Sequence, residues 1–161
     1  MIRCKYENGD EVGLRHVVTG VLIVKENKVL LEKRGTFRGK PLSESGKWSM
    51  VGGYLDRNET LEEGLRREIK EEIGWEVGAL TPLHVNSNPK RRSDQERQNV
   101  AVIYFASPLK QETVNSEEVA DLKWFDLNRL PSEEEFAFDH YDELLLYKKY
   151  LKENLSLPVV S

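Results

Sequence analysis

The sequence predicts an α/β domain in which a mixed β-sheet lies between helices. Three observations carry that expectation. Two β-prone runs, Val17 to Val24 and Val29 to Lys33, are joined only by Lys25-Glu26-Asn27-Lys28 and read as a hairpin. A helix dense with carboxylates follows a Gly52-Gly53 turn, and a second amphipathic helix spans residues 139–153.

Taken in order, Ile2 to Tyr6 is suited to a short edge strand. The run Val17 to Val24 is apolar almost throughout, which suits a strand covered on both faces. Arg34 to Lys47 is a loop rich in Gly, Ser and basic residues, long enough to suggest a functional role. Trp48 to Val51 then forms a short strand that delivers the chain to the two glycines. Thr60 and Glu63 make a capping box, so the first helix is expected to start at Leu61. Leu61, Leu65, Ile69 and Ile73 give it an apolar stripe, and Gly74 suits a left-handed cap. Gly64, inside this helix, costs about 1 kcal/mol relative to Ala and is read as a point of tight packing.

Trp75 to Val85 is expected to be a strand with an irregularity near Gly78 or Pro82. Residues 86–98 are polar and highly charged. Asn99 to Ala106 is a strong strand, and Leu122 to Phe125 is a short one before a turn ending at Pro131. In the last helix Tyr141, Leu144, Leu145, Tyr147 and Leu151 form the expected buried side, and the tail after it frays or docks at the surface.

A chain of 161 residues fits one domain, residues 1–161, with room for a proper core. Its net charge of −4 argues against non-specific nucleic-acid binding, which needs a basic surface. Cys4 is the single cysteine, so no intrachain disulfide can form and a reducing compartment is expected. No apolar run approaches membrane-spanning length, and the N-terminus has no apolar signal core. A soluble, cytoplasmic protein with no membrane or nucleic-acid partner is the expectation.

The chemistry concentrates in the first helix. Glu68, Glu71 and Glu72 are three and four residues apart, so their side chains share one helix face. Like charges so placed repel by roughly 0.2–0.5 kcal/mol per pair, and a hard cation such as Mg²⁺ relieves that repulsion. The plain alternative is a solvated face laced by the i,i+4 pairs Glu62–Arg66, Glu63–Arg67 and Arg67–Glu71. The wider spacing decides against it. Gly53, five residues, Glu59, seven residues, then Arg67-Glu68-Ile69-x-Glu71-Glu72-x-Gly74-Trp75 resembles the signature box of the Nudix hydrolases. Trp75 stands where an aliphatic residue is usual, and Val51 where proline is common before Gly-Gly.

The resemblance implies an α/β/α sandwich and Mg²⁺-dependent (or Mn²⁺-dependent) hydrolysis of a nucleoside diphosphate linked to X. Glu68 and Glu72 are then the principal metal ligands, with Glu71 assisting and the Gly52 carbonyl completing the set. Arg67 and Glu59 pair to orient the carboxylate helix. The general base is a box glutamate or one of Glu117 and Glu118. Arg34, Arg92 and Arg97 are candidates for the substrate's phosphates, and Trp48 or Phe37 for stacking on its base. Each has a bland alternative, a surface arginine or a core aromatic. His16, His84 and His140 show no ligand spacing and are read as singly satisfied histidines.

Asn88-Pro89 with Asp94 and Arg97, and Phe138-Asp139-His140, resemble members acting on ADP-ribose and related dinucleotides. Three alternatives stand beside that reading. One is a nucleotide-pool hydrolase releasing NMP and pyrophosphate from (d)NTPs, and another a non-catalytic nucleotide-sensing module. Isopentenyl diphosphate isomerase shares the fold but needs a cysteine near the site, where Cys4 is poorly placed. Many members dimerise, so a homodimer is an option, although no interface is legible.

Overall fold

The computed structural model describes residues 2–92, 98–113 and 116–161. The strands are β1 (Ile2–Lys5), β2 (Glu11–Leu14), β3 (Val17–Lys25), β4 (Lys28–Arg34), β5 (Thr36–Phe37), β6 (Lys40–Pro41) and β7 (Trp48–Ser49), then β8 (Trp75–Val77), β9 (Thr81–Asn86), β10 (Val100–Ala106), β11 (Pro108–Gln111), β12 (Val119–Asp126) and β13 (Val159–Val160). Two α-helices accompany them, α1 (Leu61–Ile73) and α2 (His140–Lys152).

The central sheet runs β12-β4-β3-β10-β9-β13, with β7 also paired to β4. It is mixed, because β10 runs parallel to β3 and β13 parallel to β9, while the other pairs are antiparallel. Side chains alternate across the sheet and so build two cores. On one face Val21, Ile23, Leu30, Val102 and Tyr104 pack against Leu65, Ile69 and Ile73 of α1. On the other, Leu22, Val24, Leu31, Ala101 and Ile103 pack against Leu144 and Tyr147 of α2. The expected mixed sheet between helices is therefore what forms.

Local signals place α1 where the sequence put it. Thr60 accepts from the Glu63 N–H, Glu63 returns a carboxylate to the Thr60 N–H, and Gly74 caps the other end in the left-handed region at φ 68°. Three expectations are corrected. Ile2 to Lys5 does not extend the main sheet but pairs with β2 as a separate hairpin. Trp75 to Val85 is two strands, β8 and β9, and β8 leaves the main sheet to pair with β11.

In α2, Leu145 and Leu151 are 43% and 55% exposed, while Glu143 is buried. Glu143 can lie inside because His84 Nδ1 meets its carboxylate at 2.8 Å, and periodicity alone counts a carboxylate as surface. Of the three i,i+4 pairs in the plain alternative, only Arg67–Glu71 forms. Arg66 instead donates to the Val77 and Gly78 carbonyls, and Glu63 is taken by the cap. The tail docks: β13 lies beside β9, and the Ser161 N–H donates to the Val85 carbonyl. No helix among the described residues is long and apolar enough to cross a membrane.

Candidate active site

The glycine corner and α1 are pressed together. A Cβ on Gly52, whose φ is 149°, would stand 2.1 Å from the Thr19 carbonyl oxygen of β3. A Cβ on Gly53 would stand 2.4 Å from a carboxylate oxygen of Glu68. The Gly52 N–H also faces Glu72 Oε2 at 3.4 Å, a long contact. Only glycines let the backbone approach a carboxylate helix this closely.

Arg67 acts as the clamp. It donates to Glu59 from two nitrogens, at 2.8 and 3.1 Å, and meets Glu68 at 3.0 Å and Glu71 at 3.3 Å. These bonds hold the Glu59 carboxyl below its usual range. Gly64 explains itself here. A Cβ on it would lie 2.6 Å from Glu59 Oε1, so its small size makes room for the clamp. Glu71 stands at the rim, with its side chain 62% exposed.

Glu72 and Glu68 face a fourth carboxylate that the sequence reading left out of the site. Glu32 of β4 is 2% exposed, and its Oε2 has no hydrogen-bond partner. Burial, opposed by Arg34 and reinforced by Glu118 and Glu68, pushes the Glu32 carboxyl up to about 8. Burial also holds Glu72 well above the usual carboxylate range, and the charges of Glu32, Glu68 and Glu118 add to it. Glu68 is raised by burial, against the pull of Arg67. The signal for Glu32 was period two. It follows Leu30 on the α1 face of β4, so it points where Leu30 points.

The two late glutamates separate cleanly. Glu117 is exposed and accepts from the Arg38 and Gly39 N–H groups, at 2.6 and 3.2 Å. Glu118 is the one whose charge reaches Glu32, Glu68 and Glu72. Backbone bonds fix that division: Gly35 N–H donates to the Glu118 carbonyl at 2.7 Å and Thr36 N–H to the Glu117 carbonyl at 2.8 Å. Beside Glu72 lies a cavity of about 380 Å³, lined by Glu72, Gln111, Thr113, Ser116 and Leu122 among others.

The candidate substrate residues are dispersed. Arg34 donates to the Ser43 carbonyl at 2.8 Å and lies over the Phe138 ring. Arg92 bonds the Phe138 and Phe136 carbonyls before α2. Trp48 is 8% exposed and packs edge-on to Phe125, and Phe37 is exposed. Arg97 and Asp94 lie outside the described residues. The histidines are each engaged: His16 with the Tyr54 ring, His84 with Glu143, and His140 with Ser49.

Four carboxylates whose charges act on one another, with one buried oxygen of Glu32 unpartnered, are the hard oxygen donors a divalent cation takes. As placed, no three His, Cys, Asp or Glu side chains among the described residues are grouped to hold an ion. Glu68 is paired with Arg67 at 3.0 Å, and Glu72 Oε2 lies 3.4 Å from the Gly52 N–H.

These shifts set a pH dependence. A carboxyl raised from 4.5 to about 8 holds its proton more tightly in the folded chain. Its stabilisation is full below 4.5 and is lost as pH rises through about 8. In chelator, Glu32→Gln is expected to melt with the wild type at pH 4 and progressively above it towards pH 8. His140, held down to about 3 by burial, has the opposite trend but is common to both proteins. Melting curves whose difference stays flat across that range would contradict the assignment.

The chain matches the NUDIX domain family model over residues 14–146. It is 34% identical over 119 residues to an ADP-ribose pyrophosphatase of Methanocaldococcus jannaschii, covering 74% of this chain and 64% of that protein. It is also 34% identical over 137 residues to an oxidized purine nucleoside triphosphate hydrolase of Danio rerio, covering 83% and 81%. Its fold is similar to the crystal structure of an ADP-ribose pyrophosphatase from Streptococcus suis, with TM-score 0.71, 20% identity and coverage of 92% and 100%.

Proposed function

The chain belongs to the Nudix family, and from that premise we propose that it hydrolyses the diphosphate linkage of a nucleoside diphosphate joined to X, with ADP-ribose-like compounds as the substrate class. The products are a nucleoside monophosphate and phospho-X. The observation that carries this reading is that Glu68 and Glu72 stand against Gly53 and Gly52, with the charges of Glu32 and Glu118 acting on Glu72. Family members generally use divalent metals, and here Glu68 and Glu72 are the proposed principal ligands, with Glu71 and the Gly52 carbonyl assisting. A Mg²⁺ or Mn²⁺ ion held there would supply neutralisation of phosphoryl oxygens and acidification of water.

The chain's own residues do the remaining work. Arg67, fixed by Glu59, orients Glu68 and Glu71. Glu118 is the better placed of the two late glutamates to take a proton from water, because Glu117 is occupied by the loop at Arg38 and Gly39. The cavity beside Glu72 offers space for the substrate, but its lining includes Glu112 and Asp121, which repel phosphates unless a cation intervenes.

A second reading, a (d)NTP hydrolase releasing pyrophosphate, is favoured by the similarity to the Danio rerio protein over most of both chains. Screening dinucleotides, nucleotide sugars and NTPs with Mg²⁺, with products identified by mass, separates the two. AMP with ribose phosphate from ADP-ribose is the expected result. NMP with pyrophosphate as the dominant product would favour the second reading, and no cleavage of any substrate would overturn both.

A further inference from the structure

We propose that Glu32 is itself a ligand of the divalent cation, a strand-borne carboxylate that closes the site opposite the helix-borne Glu68 and Glu72. This rests on the reading above that the α1 carboxylates hold a cation. Glu32 follows the buried apolar run Val29-Leu30-Leu31 of β4 and is itself buried ahead of half-buried Lys33, where a carboxylate contributes nothing to packing. Its cross-strand partners are Leu122 on β12 and Ser49 on β7. Neither neutralises it, and the Ser49 hydroxyl is already turned to the Met50 carbonyl and His140.

Nor is Glu32 half of an ion pair. The cation acting on it, Arg34, gives its Nε to the Ser43 carbonyl and lays its guanidinium over Phe138. What Glu32 does face is more negative charge, from Glu68, Glu72 and Glu118. A buried carboxylate with an unpartnered oxygen among other carboxylates is unfavourable on every structural reading. A shared divalent cation removes that cost at one stroke, because hard oxygen donors are what Mg²⁺ and Mn²⁺ coordinate. The strand also supplies what α1 lacks. Residues of one helix approach an ion from one side only, and β4 brings a donor from the sheet face that α1 covers.

The test is Mn²⁺ titrated into chelator-stripped wild type, Glu32→Gln and Glu72→Gln, followed by melting temperature. Without metal, Glu32→Gln is expected to melt at or above the wild type. It should need at least about tenfold more Mn²⁺ for half-maximal stabilisation, the loss typical of weakened metal ligation. If Glu72→Gln is weakened but Glu32→Gln responds like the wild type, Glu32 is not a ligand and the reading of the α1 carboxylates survives. If Mn²⁺ does not stabilise the wild type, both fall.

A second measurement needs no variant. Anomalous scattering from wild-type crystals soaked in Mn²⁺ should place the ion within about 2.0–2.6 Å of a Glu32 oxygen. An ion on Glu68 and Glu72 with the Glu32 carboxylate beyond that reach would overturn the proposal.

Discussion

Glu72→Gln is expected to cut turnover by about two to three orders of magnitude while the fold is retained, the loss typical when one charge-stabilising group leaves a site. Glu72 faces Glu32, Glu68 and Glu118 from the edge of the core, where its charge is costly to the folded state. The substitution is isosteric, keeps a group for the Gly52 N–H, and removes that cost. Its melting temperature in chelator should therefore equal or exceed the wild type's at neutral pH. Steady-state kinetics and thermal melts on one preparation check both halves. Wild-type turnover would remove Glu72 from the site, and collapse of the fold would make its role structural.

Gly52→Ala is expected to act in the opposite sense, on stability first. At φ 149° the added Cβ meets the Thr19 carbonyl oxygen at 2.1 Å and the Gly20 Cα at 2.7 Å, both backbone atoms of a central strand. Backbone strain and overpacking each cost on the order of 1–3 kcal/mol, so a loss of about 3 kcal/mol is the expectation. For a domain of this size that lowers the melting temperature by roughly 6–12 °C. Gly53→Ala is the useful contrast. Its Cβ meets only the flexible end of Glu68, so the side chain can yield at little cost to the fold and at the expense of the carboxylate's placement. A Gly52→Ala protein melting within about 2 °C of the wild type would show that the corner is softer than this packing implies.

The sequence made legible whatever depends on local periodicity and spacing. The hairpin of β3 and β4, the capped start of α1 at Leu61 and its left-handed end at Gly74 stand as read. The contact of Arg67 with Glu59 follows from spacing within the signature box, and it is present at 2.8 Å. What was not legible depends on partners far away in the chain. Glu143 reads as the polar face of α2 until His84, 59 residues earlier, is seen against it. The choice between Glu117 and Glu118 turns on Gly35 and Thr36, whose backbone bonds to that segment no motif records. Glu32 directly follows two leucines in the run Val29 to Lys33, and its orientation towards α1 emerges only when the sheet has two covered faces.

The proposed site comes down to whether carboxylates from a strand, a helix and a loop compensate their mutual repulsion with a divalent ion. Isothermal titration calorimetry of Mn²⁺ into chelator-stripped wild type and Glu72→Gln measures this with no substrate present. Saturable binding in the wild type, lost or weakened at least about tenfold in the variant, is the expected result. Superimposable isotherms, or no binding in the wild type, would contradict it.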